Sequence, residues 1–276
     1  MPRTNEKHRI IEHYDVVSPY YYSLWGEHLH HGYWLRGDES KEAAQVQLIE
    51  HLARLANVKP GFRILDIGCG FGGSSLYLAR NYGATATGIT ISSVQVEMAN
   101  RAAAKANLDA KFLLMDAEAM QFPRPFDLLW SIESISHYQD PQKFFLSAVK
   151  FLKPGGTFAL TDWFQNGNLS PAARKKFIEP IEKGMFVELH EMEDYADSLI
   201  SSGLRIVHRQ VLTPNCAKTW DICLDIIKDK SFWALAAKYG SDFVTYLKAF
   251  QAMRASYASG NFVYGLFVAK KPETEE

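Results

Sequence analysis

An excess of charge of either sign is missing from this 276-residue chain: 30 Lys and Arg stand against 31 Asp and Glu, a formal net charge of −1. A protein that neutralises a phosphate backbone carries a basic excess, so no nucleic-acid partner is expected. No apolar run approaches the ~18–20 residues of a membrane span, so no stable membrane insertion is expected. The polar stretch from Met1 to Arg9 lacks the apolar core of a signal peptide. Cysteine is scarce: Cys69, Cys216 and Cys223 are scattered, with no Cys-x-x-Cys pair. That excludes a disulfide framework and a cysteine zinc site, and fits a reducing, cytoplasmic setting. There is no internal repeat, and no low-complexity run beyond the tail Glu273–Glu276. A Gly-x-x-x-x-Gly-Lys-Ser/Thr run is absent too, which excludes an ATPase phosphate loop.

What is present is organised around Ile64-Leu65-Asp66-Ile67-Gly68-Cys69-Gly70-Phe71-Gly72-Gly73. An apolar run ends in an acid, the chain turns through glycines, and a helix follows from Leu76 to Tyr82, stopped by Gly83. Glycines let backbone approach a ligand closely, and a helix opening there aims free N–H groups at it. The pattern is that of a nucleotide-type cradle after the first strand of an α/β sheet.

Along the chain, a loose tail to about Lys7 and a short helix at Ile10–Asp15 are expected. Next comes an aromatic, irregular segment from Tyr20 to Trp34, which reads as a lid over a pocket with Tyr14, Trp25, Tyr33 and Trp34 as walls. An amphipathic helix covers Ser40–Asn57. Strands are expected at Ala84–Ile91, Phe112–Met115, Phe126–Ile132, Thr157–Trp163 and Leu204–Leu212, with Asn261–Lys270 as an edge strand. Helices are expected at Ser93–Ala106, Pro141–Leu152, from Ser170 with a break at Pro180, and at Glu191–Ser202. Thr219–Gly260 reads as helical, broken near Ser231 and Gly240, with a core-packing stripe from Phe243 to Tyr257. Arg174-Lys175-Lys176 reads as a solvated helix face. The expectation is an α/β fold: one doubly wound, mostly parallel seven-stranded sheet with a helical cap. Residues 1–40 form the lid, 41–165 the ligand-binding core, and 166–276 the remainder, with the cap insertion at about 214–260.

The glycine pattern alone resembles a dinucleotide fingerprint, but Asp66 is a poor neighbour for a pyrophosphate. The acid that usually follows the second strand is replaced by Gly88-Ile89-Thr90-Ile91-Ser92. A ligand carrying an ammonium and a sulfonium tolerates Asp66 well. Ile64–Gly73 resembles motif I of class I S-adenosylmethionine-dependent methyltransferases. Gly88–Ser92 with Gln95 resembles the second-strand motif of the subgroup containing cyclopropane fatty acid synthases, although Ser92-Ser93-Val94-Gln95 is also a capping box. Met115-Asp116-Ala117-Glu118 resembles the adenine loop, and Lys153-Pro154-Gly155-Gly156-Thr157 the turn before the fifth strand. Trp25-Gly26-Glu27-His28-Leu29-His30-His31-Gly32-Tyr33-Trp34 is similar to the lid of γ-tocopherol C-methyltransferases and of the sugar O-methyltransferase of rebeccamycin biosynthesis, and more distantly of sterol C-methyltransferases.

The resemblance implies a Rossmann-like methyltransferase fold, S-adenosyl-L-methionine as cofactor and a small, partly apolar natural product as acceptor, and it leaves room for a homo-oligomer. It places Tyr14, Tyr33, Asp66, Gly68, Gly70, Thr90, Ile91, Gln95, Asp116, Ala117, Glu118 and Glu133 on the cofactor. Trp25, His28, His31 and Trp163 are expected on the acceptor.

Methyl transfer to a hydroxyl needs its proton removed. Glu133 and His137 follow the fourth strand and Asp162 ends the fifth, beside the switch point of the sheet. His137 is therefore expected as general base, with Asp162 as its partner or as a substrate ligand. The alternative is carbon methylation of a phenolic, isoprenoid or sterol-like acceptor, with Glu133 as acid, base or cation stabiliser. The cluster His28, His30, His31 lacks helical His-x-x-x-His spacing, and no carboxylate pair or Cys accompanies it at ligand spacing, so no metal is expected.

Overall fold

Short runs of Ile, Leu and Phe with no polar face require a sheet covered on both sides. In the computed structural model, which describes residues 4–233 and 242–273, such a sheet forms. The strands are β1 (Arg63–Ile67), β2 (Thr85–Thr90), β3 (Ala110–Leu114), β4 (Phe126–Ile132), β5 (Leu152–Gln165), β6 (Arg205–Val211) and β7 (Phe262–Lys270). They lie in one seven-stranded sheet in the order β3-β2-β1-β4-β5-β7-β6. β1 pairs in parallel with both β2 and β4, which puts the switch point at the end of β1. β7 runs antiparallel between β5 and β6.

Alternate residues of one strand feed opposite cores. Leu266 and Val268 of β7 join the face that holds Leu48, Ile49 and Leu52, while Phe267 and Ala269 join the face of Phe144, Phe145 and Leu199. The first face is covered by α2 (Lys41–Leu55), α3 (Gly73–Tyr82) and a cap, and α4 (Ser93–Ala106) packs beside β3. The second face is covered by α5 (Pro141–Ala148) and a helix at Met192–Ser201. Local signals explain the helix starts: Ser40, Ser92, Asp140 and Ser170 each accept a backbone N–H of the first turn.

Several expectations differ from the structure. Residues 4–25 form one helix, α1 (Thr4–Trp25), running through Pro19 instead of a tail, a short helix and an irregular segment. Pro19 removes one internal hydrogen bond. Tertiary packing of Tyr14, Val17, Tyr20, Tyr21 and Leu24 on the main core holds the helix nonetheless. The Tyr21 and Tyr246 hydroxyls are also hydrogen-bonded to each other. β7 is internal rather than an edge strand, because β6 pairs along its outer side. The helix after Asp140 ends at Ala148, followed by a 3-10 turn, and β5 begins at Leu152. Upstream of Pro180 the chain widens into a π turn at Arg174–Ile178 before α6 (Glu179–Met185). The cap contains helices at Lys218–Ile226 and Asp242–Ser259; the expected break at Gly240 lies outside the described residues. Among the described residues no helix is long and apolar enough to cross a membrane.

Candidate active site

β1 delivers Asp66 to a turn in which Gly68, Gly70 and Gly72 all take positive φ. Gly68 is needed twice over, since a Cβ there would also sit on the side chain of Ser134. Gly68→Ala is expected to cost about 1–3 kcal/mol of stability, read as a lowered midpoint in chemical unfolding; an unchanged midpoint would show that the turn is not so constrained. The turn opens α3 with no side-chain cap, which leaves N–H groups for a ligand.

The Asp66 carboxylate accepts the Ser75 hydroxyl at 2.7 Å. Burial pushes its carboxyl up to about 7, against the opposing hydrogen bonds from Ser75. The Thr90 hydroxyl donates to Gln95 Oε1 at 2.7 Å. Asp116 caps the short turn Ala117–Ala119 through the Glu118 N–H. Lys7 of α1 bridges Asp116 and Glu118, with its Nζ 2.6 Å from each carboxylate.

One cavity brings these groups together. Asp66, Gly68, Gly70, Thr90, Ile91 and Gln95 line it, as do Tyr14, Asp116, Ala117, Glu118 and Glu133. Two expected residues are placed differently. Tyr33 lines neither this cavity nor the next: its ring stacks on His51 at 4.8 Å, and its N–H donates to the Ala44 carbonyl. His28 lines this first cavity rather than the second, because it sits against Gly73 in the glycine turn. Burial, then His30 nearby, lowers the His28 imidazole to about 3, and its Nδ1 has no hydrogen-bond partner.

A second cavity lies under α1 and the cap. Trp25, His31 and Trp163 line it, together with Tyr20, Trp220 and Phe250. The two cavities share Tyr14, Leu29, His30, Glu133 and His137.

The three candidate reacting groups have different surroundings. Glu133, at φ 55 just past β4, accepts the His31 N–H at 2.7 Å, His31 Nδ1 at 3.0 Å and the Tyr264 hydroxyl at 2.6 Å. Burial raises its carboxyl, but the His31 imidazole and these hydrogen bonds outweigh that and hold it below the usual carboxylate value. On the far side of the ring, the Trp220 indole N–H donates to His31 Nε2 at 2.7 Å. An indole can only donate, so Nε2 accepts and Nδ1–H faces Glu133. Glu133 thus ties the segment after α1 to the sheet.

His137 lies in a 3-10 turn after β4. Its Nδ1 is 3.0 Å from the Phe186 carbonyl, which can only accept, so Nδ1 carries the hydrogen. Nε2 therefore offers a lone pair, and the Tyr14 hydroxyl donates to it at 2.9 Å. Burial lowers the imidazole below its ordinary value, against the Phe186 and Glu133 contributions.

Asp162 is not the partner of His137, and it lines neither cavity. It is fully buried and accepts the N–H groups of Ser136 at 2.9 Å and Trp163 at 2.8 Å, with the Tyr195 hydroxyl at 3.3 Å. This carboxylate lies under the 3-10 turn and holds the backbone beside His137. Burial pushes its carboxyl up to about 7 from 3.8. The folded state thus binds a proton more tightly than the unfolded chain. Stability is full below about pH 4 and is lost as pH rises through about 7, by on the order of a few kcal/mol. Asp66 acts with the same sign, so Asp162→Asn is expected to remove about half of this slope in urea unfolding followed from pH 5 to 8; an unaltered slope would contradict it.

Sequence reasoning missed Phe186, Tyr264, Lys7 and the role of His30. Phe186 takes φ 56 at the end of α6, and nothing local marks its carbonyl as the histidine's partner.

A mostly parallel sheet in this order, a buried acid leading into a glycine turn at its switch point, and an aromatic chamber next to it define a small-molecule methyltransferase that uses S-adenosylmethionine. The chain belongs to the mycolic acid cyclopropane synthetase family, which matches residues 2–261. It is 32% identical over 278 residues to a 27-O-demethylrifamycin SV methyltransferase of Amycolatopsis mediterranei (strain S699), covering 99% of each chain. It is 30% identical over 290 residues to the chloroplastic tocopherol O-methyltransferase of Arabidopsis thaliana, covering 95% of this chain and 82% of that protein. In fold it is similar to the mycolic acid cyclopropane synthase CmaA1, solved with S-adenosylhomocysteine (SAH) and CTAB, with a TM-score of 0.86 and 22% identity over 96% of this chain and 98% of that one.

The first cavity fits that cofactor: a buried carboxylate with one side-chain partner and the uncapped start of α3 line one space.

Proposed function

We propose that this methyltransferase methylates a hydroxyl oxygen of a small, partly apolar acceptor, with His137 as general base. The observation that carries the reading is the His137 ring, which is neutral by burial, fixed by Phe186, and presents Nε2 where the two cavities meet. Nε2 already receives an O–H, that of Tyr14. S-adenosylmethionine supplies an activated methyl group. Asp66, the glycine turn, Thr90 with Gln95, and Asp116 with Glu118 hold it; the second cavity orients the acceptor and excludes water. The Tyr14 O–H gives way at Nε2 to the acceptor hydroxyl, Nε2 takes that hydroxyl's proton as the methyl joins its oxygen, and Asp162 keeps the turn in place. Residues 1–40 act as the lid, 41–165 as the cofactor core, and the remainder with block 214–260 completes sheet and cap. The relative named 27-O-demethylrifamycin SV methyltransferase supports an oxygen acceptor.

Glu133 acts here as the clasp of the lid, since its carboxylate is engaged by His31 and Tyr264. Two measurements test the reading. Because burial lowers the His137 imidazole from 6.5, the acid limb of kcat/KM at saturating cofactor is expected below pH 6.5. Glu133→Gln is expected to raise KM for the acceptor and keep measurable turnover. If Glu133→Gln is inactive while His137→Ala turns over, carbon methylation takes the place of this reading.

A further inference from the structure

Two side chains that line the second cavity, His30 (which also lines the first) and Trp163, each carry a polar atom with no partner. His30 donates Nδ1–H to the His31 carbonyl at 2.8 Å, so its Nε2 is an acceptor, and it is buried and unpaired. The Trp163 Nε1–H is a donor, also buried and unpaired. Both side chains line the second cavity, and His30 itself is 7% exposed. Buried polar atoms are nearly always satisfied, so two orphans on one chamber point to a molecule that satisfies them.

The chamber also states what that molecule is not. Among its described lining residues there is no Lys or Arg, and its one carboxylate, Glu133, is already held by His31 and Tyr264. An anionic group would enter an aromatic chamber with no cation to meet it, beside a negative charge. The unmatched pair is one acceptor and one donor, and a hydroxyl is the smallest neutral group able to serve either.

We propose that the methyl acceptor is uncharged and carries a second hydroxyl, apart from the one methylated, read by His30 Nε2 and the Trp163 indole N–H. His30 and Trp163 are then positioning residues that select dihydroxy or polyhydroxy acceptors over monohydroxy and anionic ones. This rests on the reading of the second cavity as the acceptor site, but not on His137 as base.

The test is calorimetry on the full-length protein saturated with S-adenosylhomocysteine, with 4-hexylphenol, 4-hexylresorcinol and 4-hexylbenzoate as probes. The second hydroxyl makes two further hydrogen bonds, each worth about threefold in affinity, so wild type is expected to bind 4-hexylresorcinol about tenfold tighter than 4-hexylphenol. His30→Phe and Trp163→Phe, tested separately in case one fails to fold, are each expected to narrow that ratio to about threefold or less; the ratio within each variant is the readout, because both side chains line the cavity that 4-hexylphenol also enters. An undiminished preference in both variants would overturn the proposal, as would 4-hexylbenzoate binding as tightly as 4-hexylphenol. No proton is abstracted in this assay. If His137→Ala stays active, the base assignment fails and the resorcinol preference stands; if the preference is absent, the base assignment stands.

Discussion

Replacing His137 with alanine is expected to lower kcat for a hydroxyl acceptor by about 10²–10⁴-fold, the usual contribution of a positioned general base, with cofactor affinity unchanged. Nδ1–H is committed to the Phe186 carbonyl, so the ring has one tautomer and one lone pair, at Nε2. Burial keeps that lone pair free of a proton near neutral pH. The ring makes no ion pair with the groups expected on the cofactor, which is why calorimetry with S-adenosylhomocysteine should not detect its loss. The truncation also leaves the Phe186 carbonyl and the Tyr14 hydroxyl unpaired, a cost of about 1–3 kcal/mol each. A thermal unfolding curve taken alongside separates lost chemistry from lost fold. Turnover within about tenfold of wild type, too small a loss for a general base, would remove His137 from the mechanism.

Asp66→Ala is expected to weaken S-adenosylmethionine binding by at least about 100-fold, in line with the loss of one side of a buried charge contact. Asp66 is 2% exposed and has one side-chain partner, Ser75. Burial favours its neutral form in the free protein, and a cationic ligand restores the charge at the position where the glycine turn brings backbone closest. Ser75→Ala, which leaves the carboxylate in place, is expected to cost far less. Isothermal calorimetry decides between these outcomes, and unchanged affinity in Asp66→Ala would sink the assignment of the loop.

Why some of this could be read from the chain and some could not follows from the range of the interactions. α4 and β4 occupy the expected residues, Ser93–Ala106 and Phe126–Ile132, because each carries its own signals: a capping serine, and a strand apolar on both faces. The first cavity could be read for the same reason, since Asp66 and Thr90 lie at the C-terminal ends of β1 and β2 and Asp116 just follows β3, and so they meet at one end of the sheet.

Contacts made across the fold left no such trace. α1 is a helix because of what it lies against, and Pro19 argues locally for a break. Asp162, inside β5 near its end, and His137, just past β4, both lie at the site, yet the direction of one side chain separates them: the carboxylate turns under the Ser136 backbone. The partner that His137 does have is a main-chain carbonyl forty-nine residues away. Glu133 met His31 of the lid, a pairing no spacing rule contains. Tyr33 and His28 sit in the same aromatic segment as Trp25 and His31, but the turn of that segment gives each a different neighbour.

The central claim is that a methyl group goes to oxygen with His137 as base. Its most direct test is incubation of wild type and His137→Ala with S-adenosylmethionine labelled by carbon-13 in the methyl group and a small-molecule extract, followed by mass and carbon-13 analysis of the labelled product. The account predicts one neutral product bearing the label as a methoxy group, formed by wild type and nearly absent with His137→Ala. A label bound to carbon, or a methoxy product formed equally by both proteins, would contradict it.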